Sequence, residues 1–94
     1  MAWEWSAKTR TVLTEVEVER CNQDKKWGEK NHNPADWLMI LGEEFGEASK
    51  AALEAKFVHN DGGRRYRKEL IQVAAVAVAM VESLDRGNFW KVDD

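Results

Sequence analysis

From Leu70 to Val81 the chain is apolar almost without interruption, with Gln72 the one polar side chain in twelve residues. The run is too short to span a bilayer, which takes about 20 residues. It sits inside a longer segment of helical character, about Arg64 to Asp85, that ends at the stop signal Gly87. A helix apolar on every side must be covered on every side. In a 94-residue chain only two other helical segments can do so, and a chain this short buries a smaller fraction of its surface than a larger one. The sequence therefore predicts that this third helix lies at the centre of a bundle completed by a second copy of the protein. A tight three-helix bundle within one chain is the alternative. Alanines at 74, 75, 77 and 79 suit close helix approach.

The first of the other helices is expected from about Ser6 to Lys26 (6–26), with Ser6 as its N-cap and a narrow apolar stripe through Val12, Leu13 and Val16 towards Cys21. The second is expected over 34–57. Asn33 is a capping residue and Pro34 stands at the first helical position, where a missing N–H costs nothing. Leu38, Leu41, Phe45, Ala48 and Ala52 then follow at helical spacing towards Phe57. The stretch Val58 to Gly63 reads as a loop in which Asp61 can cap the third helix, over 64–85. No segment alternates as a strand would. The expected fold is all-α: a single domain over 1–94, an antiparallel bundle of three main helices, completed by oligomerisation into a four-helix-bundle-type core. Trp3 and Trp5 are expected to anchor the N-terminus on the bundle, and Asn88 to Asp94 to pack loosely or cover an edge.

Lysine and arginine total 14 against 17 acidic residues, a net charge of −3, which argues against binding nucleic acid or an anionic membrane with the whole surface. The lone Cys21 cannot close a disulfide within the chain, and no cysteine and histidine cluster has zinc-site spacing. With no signal-peptide pattern at the N-terminus and no membrane span, a cytoplasmic protein is expected.

On the second helix, Gly42-Glu43-Glu44-Phe45-Gly46-Glu47 places three carboxylates within five residues, three and four apart, so that all can reach one patch. They lie mid-helix, away from the N-terminus where the helix dipole favours acids. Gly42 and Gly46 each cost about 1 kcal/mol of helix stability relative to alanine, which suggests that a ligand or another helix comes close. On the third helix Glu69 begins the apolar face and Gln72 lies one turn on. Glu47 is ten residues before the end of helix two, about 15 Å, and Glu69 is eight after Asp61, about 12 Å, so an antiparallel hairpin brings them level to within a turn. Four carboxylates and an amide form an all-oxygen set, suited to Mg²⁺ or Mn²⁺ and not to zinc or copper. A di-iron bundle requires Glu-x-x-His, and neither His32 nor His59 stands three residues after a glutamate. Magnesium held by few protein carboxylates normally completes its shell with phosphate oxygens, which points to a phosphorylated substrate.

The ordered set Gln23-Asp24-Lys25-Lys26-Trp27-Gly28, His32, Trp37-Leu38, Ile40-Leu41, Glu43-Glu44-Phe45-Gly46-Glu47 and Glu69 through Glu82 resembles the MazG-like branch of the all-α nucleoside triphosphate pyrophosphatases. That family's pattern is Glu-Glu-x-x-Glu on one helix and Glu-x-x-Asp on the next. The resemblance spans roughly Glu19 to Leu84. It implies Mg²⁺-dependent hydrolysis of a nucleoside triphosphate, NTP or dNTP, between its α and β phosphates. The products are the monophosphate and pyrophosphate, and clearance of non-canonical nucleotides is the associated role. It implies a homodimer or homotetramer. Carried over by position, Glu44, Glu47 and Glu69 would be metal ligands, and Glu43 a further ligand or the base that activates water. Gln72 stands where the pattern has aspartate. Its amide oxygen can bind a cation but brings no charge.

By the same resemblance Trp27, with Lys25, Lys26 and His32, borders the nucleotide, the indole stacking on a base and a lysine meeting phosphate. Arg64, Arg67 and Lys68 open the third helix, where positive charge opposes the dipole. They either embrace the triphosphate, including across a subunit boundary, or keep the loop solvated. Gln72 keeps open a second reading, a nucleotide-binding or regulatory helical module that does not hydrolyse. A third, a structural oligomer with merely solvated acids, does not account for the two glycines or for Glu69 and Gln72.

Overall fold

The computed structural model describes residues 6–58 and 60–87, and within them the chain is all-helical: α1 (Ala7–Trp27), α2 (Pro34–Phe57) and α3 (Arg64–Asp85). The expected anchoring by Trp3 and Trp5 and the expected packing of 88–94 fall outside the described residues.

Each helix begins where its capping chemistry dictates. The Ser6 hydroxyl accepts from the Thr9 amide at 3.0 Å, and the Asn33 side chain accepts from the Asp36 amide at 3.0 Å, with Pro34 leading the first turn of α2. Asp61 does more than a simple cap. Its carboxylate accepts from the amides of Gly63, Arg64 and Arg65 at 3.0, 3.1 and 3.1 Å. These bonds, the one from Arg65 foremost, hold its carboxyl below the usual aspartate range. Gly62 and Gly63 supply the positive φ angles, +76° and +80°, that this tight entry requires. At the far end of α1 the chain leaves through Gly28, whose N–H donates to the Asp24 carbonyl at 2.8 Å.

The three helices do not pack pairwise all round. α3 packs against both α2 and α1, whereas α1 and α2 make no direct helix contact, so α3 is the middle helix of the three within one chain. The α2–α3 contact is apolar, with Trp37, Val76 and Ala79 at its centre and Ile40, Leu41 and Met80 packed around them. The α1–α3 contact is different. Val16 alone of the α1 side chains is buried, while Val12 and Leu13 are 41% and 49% exposed and Cys21 is exposed. The expected apolar stripe on α1 is thus mostly open. Ion pairs fasten the helix instead: Arg67 to Glu15 through both oxygens at 2.8 and 2.6 Å, and Arg20 to Glu82 at 3.0 and 2.6 Å.

Within one chain α3 is not fully covered. Leu70, Val78, Val81 and Leu84 stay exposed, as do Leu38 and Phe45 on α2. At 100° per residue, Leu38, Leu41 and Phe45 share one flank of α2, and Leu70, Val73, Ala77 and Leu84 share the corresponding flank of α3. Gln72 and Ala79, on the opposite flank of α3, face the side where α1 lies. The hairpin therefore carries α1 on one side and an apolar face on the other. Among the described residues a Cβ built on Gly42 or Gly46 meets no atom within 4 Å, so none of them makes the close approach expected at these glycines.

Candidate functional site

Because α1 and α2 both lean on α3 without touching, a cleft of about 420 Å³ opens between them. Its floor is α3, at Gln72, Val76 and Ala79, and the loop after α1 closes one end.

The polar end of the cleft is acidic. Glu44 faces it from α2, and its carboxyl is pushed above the ordinary glutamate range. Burial is the largest cause, followed by the negative charges of Glu69, Glu47, Glu43 and Glu19. The hairpin register thus does what the helix lengths predicted and brings the acids of α2 and α3 into one field. Among the described residues none of these five glutamates forms an ion pair. Nor do any three carboxylate, imidazole or thiolate groups among them close on a point that could hold a metal ion. The carboxylates are neighbours and not a cage, an arrangement that like-charge repulsion favours for flexible, partly exposed side chains. Glu43 and Glu47 are exposed, Glu44, Glu69 and Gln72 half-buried.

Glu19 is the member that sequence reasoning missed. It comes from α1, whose acids look like an ordinary charged helix face, and only the packing of α1 on α3 brings it to Glu44. Its spacing of four residues after Glu15 was the available signal.

The other end of the cleft is aromatic. Trp37 is 7% exposed and meets the edge of His32 with ring centroids 4.8 Å apart and planes at 84°, a T-shaped contact of the kind aromatic quadrupoles favour. The Trp37 indole N–H is buried and meets no acceptor among the described residues; an unsatisfied buried donor costs about 1–3 kcal/mol. Trp27 also lines the cleft but is 60% exposed, with the Lys26 ammonium 4.7 Å from its ring centroid. Lys26, Trp27 and His32 thus line the cleft, and Lys25 does not.

The basic residues that open α3 are elsewhere. Arg64, Arg67 and Lys68 line a second cleft of about 410 Å³ against α1, beside Glu15. Both cationic donors of Arg67 that face Glu15 are committed to it, and this hydrogen bonding raises the Arg67 pKa and lowers that of Glu15. The two clefts share Glu19 and Gln72, so the basic cleft adjoins the acidic end and not the aromatic one.

Two arginines complete the first cleft, and neither was singled out from the sequence. Arg20, with a side chain 13% exposed, pairs with Asp24 at 3.0 Å and with Glu82. Burial opposes its charge, but hydrogen bonds to Glu82 and Asp24 more than offset this and raise its pKa. Arg86, just beyond α3, reaches the α1–α2 loop.

Compared with protein-family models, curated proteins and solved structures, the chain gives no match. The functional reading is carried by the acidic motif and by its place in this fold.

Proposed function

We propose that the protein is a Mg²⁺-dependent nucleoside triphosphate pyrophosphohydrolase that converts an NTP or dNTP to the monophosphate and pyrophosphate. The observation that carries this reading is the acidic end of a cleft whose other end is aromatic: Glu19 and Glu44 line it, the charges of Glu69, Glu47 and Glu43 act on Glu44, and none of the five forms an ion pair among the described residues. An uncompensated cluster of hard oxygens suits a hard divalent cation, and an aromatic wall suits a base.

Glu44, Glu47, Glu69 and Gln72 would hold Mg²⁺ or Mn²⁺, which neutralises charge building up on the phosphates. Glu43, exposed beside them, would take the proton of the incoming water. Trp37 and His32 would form the fixed wall for the base, and Trp27 with Lys26 the exposed wall that admits it. The buried Trp37 N–H would gain an acceptor if the ligand reaches it.

The open apolar face of the α2–α3 hairpin supports a homodimer or a homotetramer, in which the hairpins of two chains form a four-helix core. Gly42 and Gly46, with open space around them, would let the partner backbone approach.

A panel of standard and modified nucleoside triphosphates incubated with Mg²⁺, with pyrophosphate measured and Glu47→Ala as control, tests the activity. Pyrophosphate from no member of the panel sinks it. A specific observation favours the second reading, a nucleotide-binding module without hydrolysis: Gln72 lies on the cleft floor and adds no charge. Binding of a triphosphate without turnover would establish that reading.

A further inference from the structure

The loop between α1 and α2 forms the closed end of the aromatic cleft, contributing Gly28, Lys30 and His32 to its lining. Its two ends are fixed by their own helices, Gly28 through its N–H to the Asp24 carbonyl and Asn33 through its cap on Asp36. The middle of the loop, residues 29–31, is exposed. One side chain from the far end of the chain meets all three of these residues. Arg86 Nε donates to Asn31 Oδ1 at 2.9 Å and lies 3.4 Å from Glu29 Oε2, and Arg86 Nη2 donates to the Lys30 carbonyl at 3.1 Å. The two hydrogen bonds cross 55 and 56 residues of sequence.

A guanidinium suits this role because its donors form a planar fork that can serve a side-chain amide, a backbone carbonyl and a carboxylate at once. Lysine offers a single point charge. Arg86 also stands one residue beyond α3, where its backbone N–H donates to the Glu82 carbonyl at 3.1 Å and the next N–H, of Gly87, to the Leu84 carbonyl at 2.9 Å. The clasp is therefore carried by the end of the central helix, and altering its side chain leaves that backbone cap in place.

We infer that Arg86 is a positioning residue for the aromatic cleft: it clasps the 28–33 loop against the end of α3 and thereby fixes the wall on which a ligand rests. The acids at the other end of the cleft lie on helices packed independently of this loop. Loss of the clasp accordingly loosens ligand binding and leaves the reacting end intact. The consequence for substrate rests on the proposed hydrolase reading, whereas the clasp itself does not.

The test is amide hydrogen exchange on the full chain, comparing wild type with Arg86→Gln and Arg86→Lys, together with triphosphate kinetics and calorimetric binding of a non-hydrolysable triphosphate analogue. In Arg86→Gln, exchange across 28–33 is expected to rise roughly tenfold, the scale of losing hydrogen bonds to a charged group, with the protection of all three helices unchanged. KM, and the Kd of the analogue, are expected to rise by a similar factor, with kcat within about twofold. Arg86→Lys is expected to fall between the two. Unchanged exchange in 28–33 overturns the clasp, as does a rise spread over all three helices, which would make Arg86 a general fold contact. Local loosening with unaltered KM and analogue affinity overturns its role in the cleft. If wild type neither hydrolyses nor binds any triphosphate, the proposed function fails, and the exchange result still decides the clasp.

Discussion

The Arg20 guanidinium on α1 donates to Glu82 on α3 at 2.6 and 3.0 Å while gripping Asp24, one turn further along its own helix, at 3.0 and 3.1 Å. Two of these four contacts cross from α1 to α3, as many as Arg67 makes to Glu15, but the Arg20 side chain is the more sheltered, 13% exposed against 55% for Arg67. Both acids are about half exposed, at 46% and 50%, so removing the arginine strands no buried charge. Arg20→Met is expected to destabilise the protein by about 1–2 kcal/mol, a charged hydrogen bond discounted for solvent screening. Urea unfolding should show this as a lower midpoint at unchanged slope.

Glu44 sets an unusual pH dependence. A carboxyl that titrates above its ordinary range in the folded chain binds its proton more tightly folded than unfolded, so its contribution to stability falls as pH rises through that window. Glu15 and Asp61 act oppositely. Their folded values are lowered, and the stability they add is lost as pH falls through and below the ordinary carboxylate range. Glu44→Gln is therefore expected to melt higher than wild type at pH 7 in the presence of a chelator. The difference should vanish at acid pH, where wild-type Glu44 is itself protonated. A variant that melts lower at pH 7 would show that Glu44 is not under like-charge strain.

A divalent cation should reverse that ordering. Millimolar Mg²⁺ is expected to raise the melting temperature of wild type at neutral pH, with Glu47→Ala and Glu69→Ala responding little; at a hundredfold excess over Kd the gain is about 2.7 kcal/mol. Sodium chloride at matched ionic strength separates binding from screening. Equal responses from wild type and both variants would remove the acidic end of the cleft as the metal site.

The apolar face offers a test in which alanine and leucine part company. Gly46→Ala has open space and gains helix propensity of about 1 kcal/mol in an isolated chain. In the proposed oligomer the same position lies against a partner backbone, so Gly46→Leu should lower the sedimenting mass towards that of one chain. A wild-type protein that sediments as a 10.8 kDa species at micromolar concentration would refute the interface.

Helix limits were the most legible part of the fold. Asn33-Pro34 and Asp61 with Gly63 are local chemical signals, and α2 and α3 run over 34–57 and 64–85 as they predict, while α1 is displaced by one residue at each end. That α3 needs cover on most sides was legible in its apolar run, and α1 and α2 both pack on it; a second copy over the rest belongs to the proposed oligomer. What holds α1 was not legible. Its attachment depends on Arg20 finding Glu82 and Arg67 finding Glu15, partners 62 and 52 residues away that no periodicity marks. The same holds for the candidate site. Motif spacing located Glu43, Glu44, Glu47 and Glu69, but Glu19 and Arg86 enter the cleft only through tertiary packing. Arg67 was read in the sequence as a phosphate contact or a solvated charge, and in the structure it is engaged by Glu15.

The two joints of α1 are unequal in their exposure to solvent. At one end Glu15 and Arg67 are 40% and 55% exposed, and at the other the Arg20 side chain is 13% exposed. Salt at 1 M shortens the screening length to about 3 Å and weakens an exposed pair far more than a sheltered one. The α2–α3 hairpin, joined by apolar contact, would feel little of this. High salt is therefore expected to weaken the Glu15 joint of α1 before the Arg20 joint, which makes the seating of α1 beside the clefts sensitive to the surrounding ionic medium.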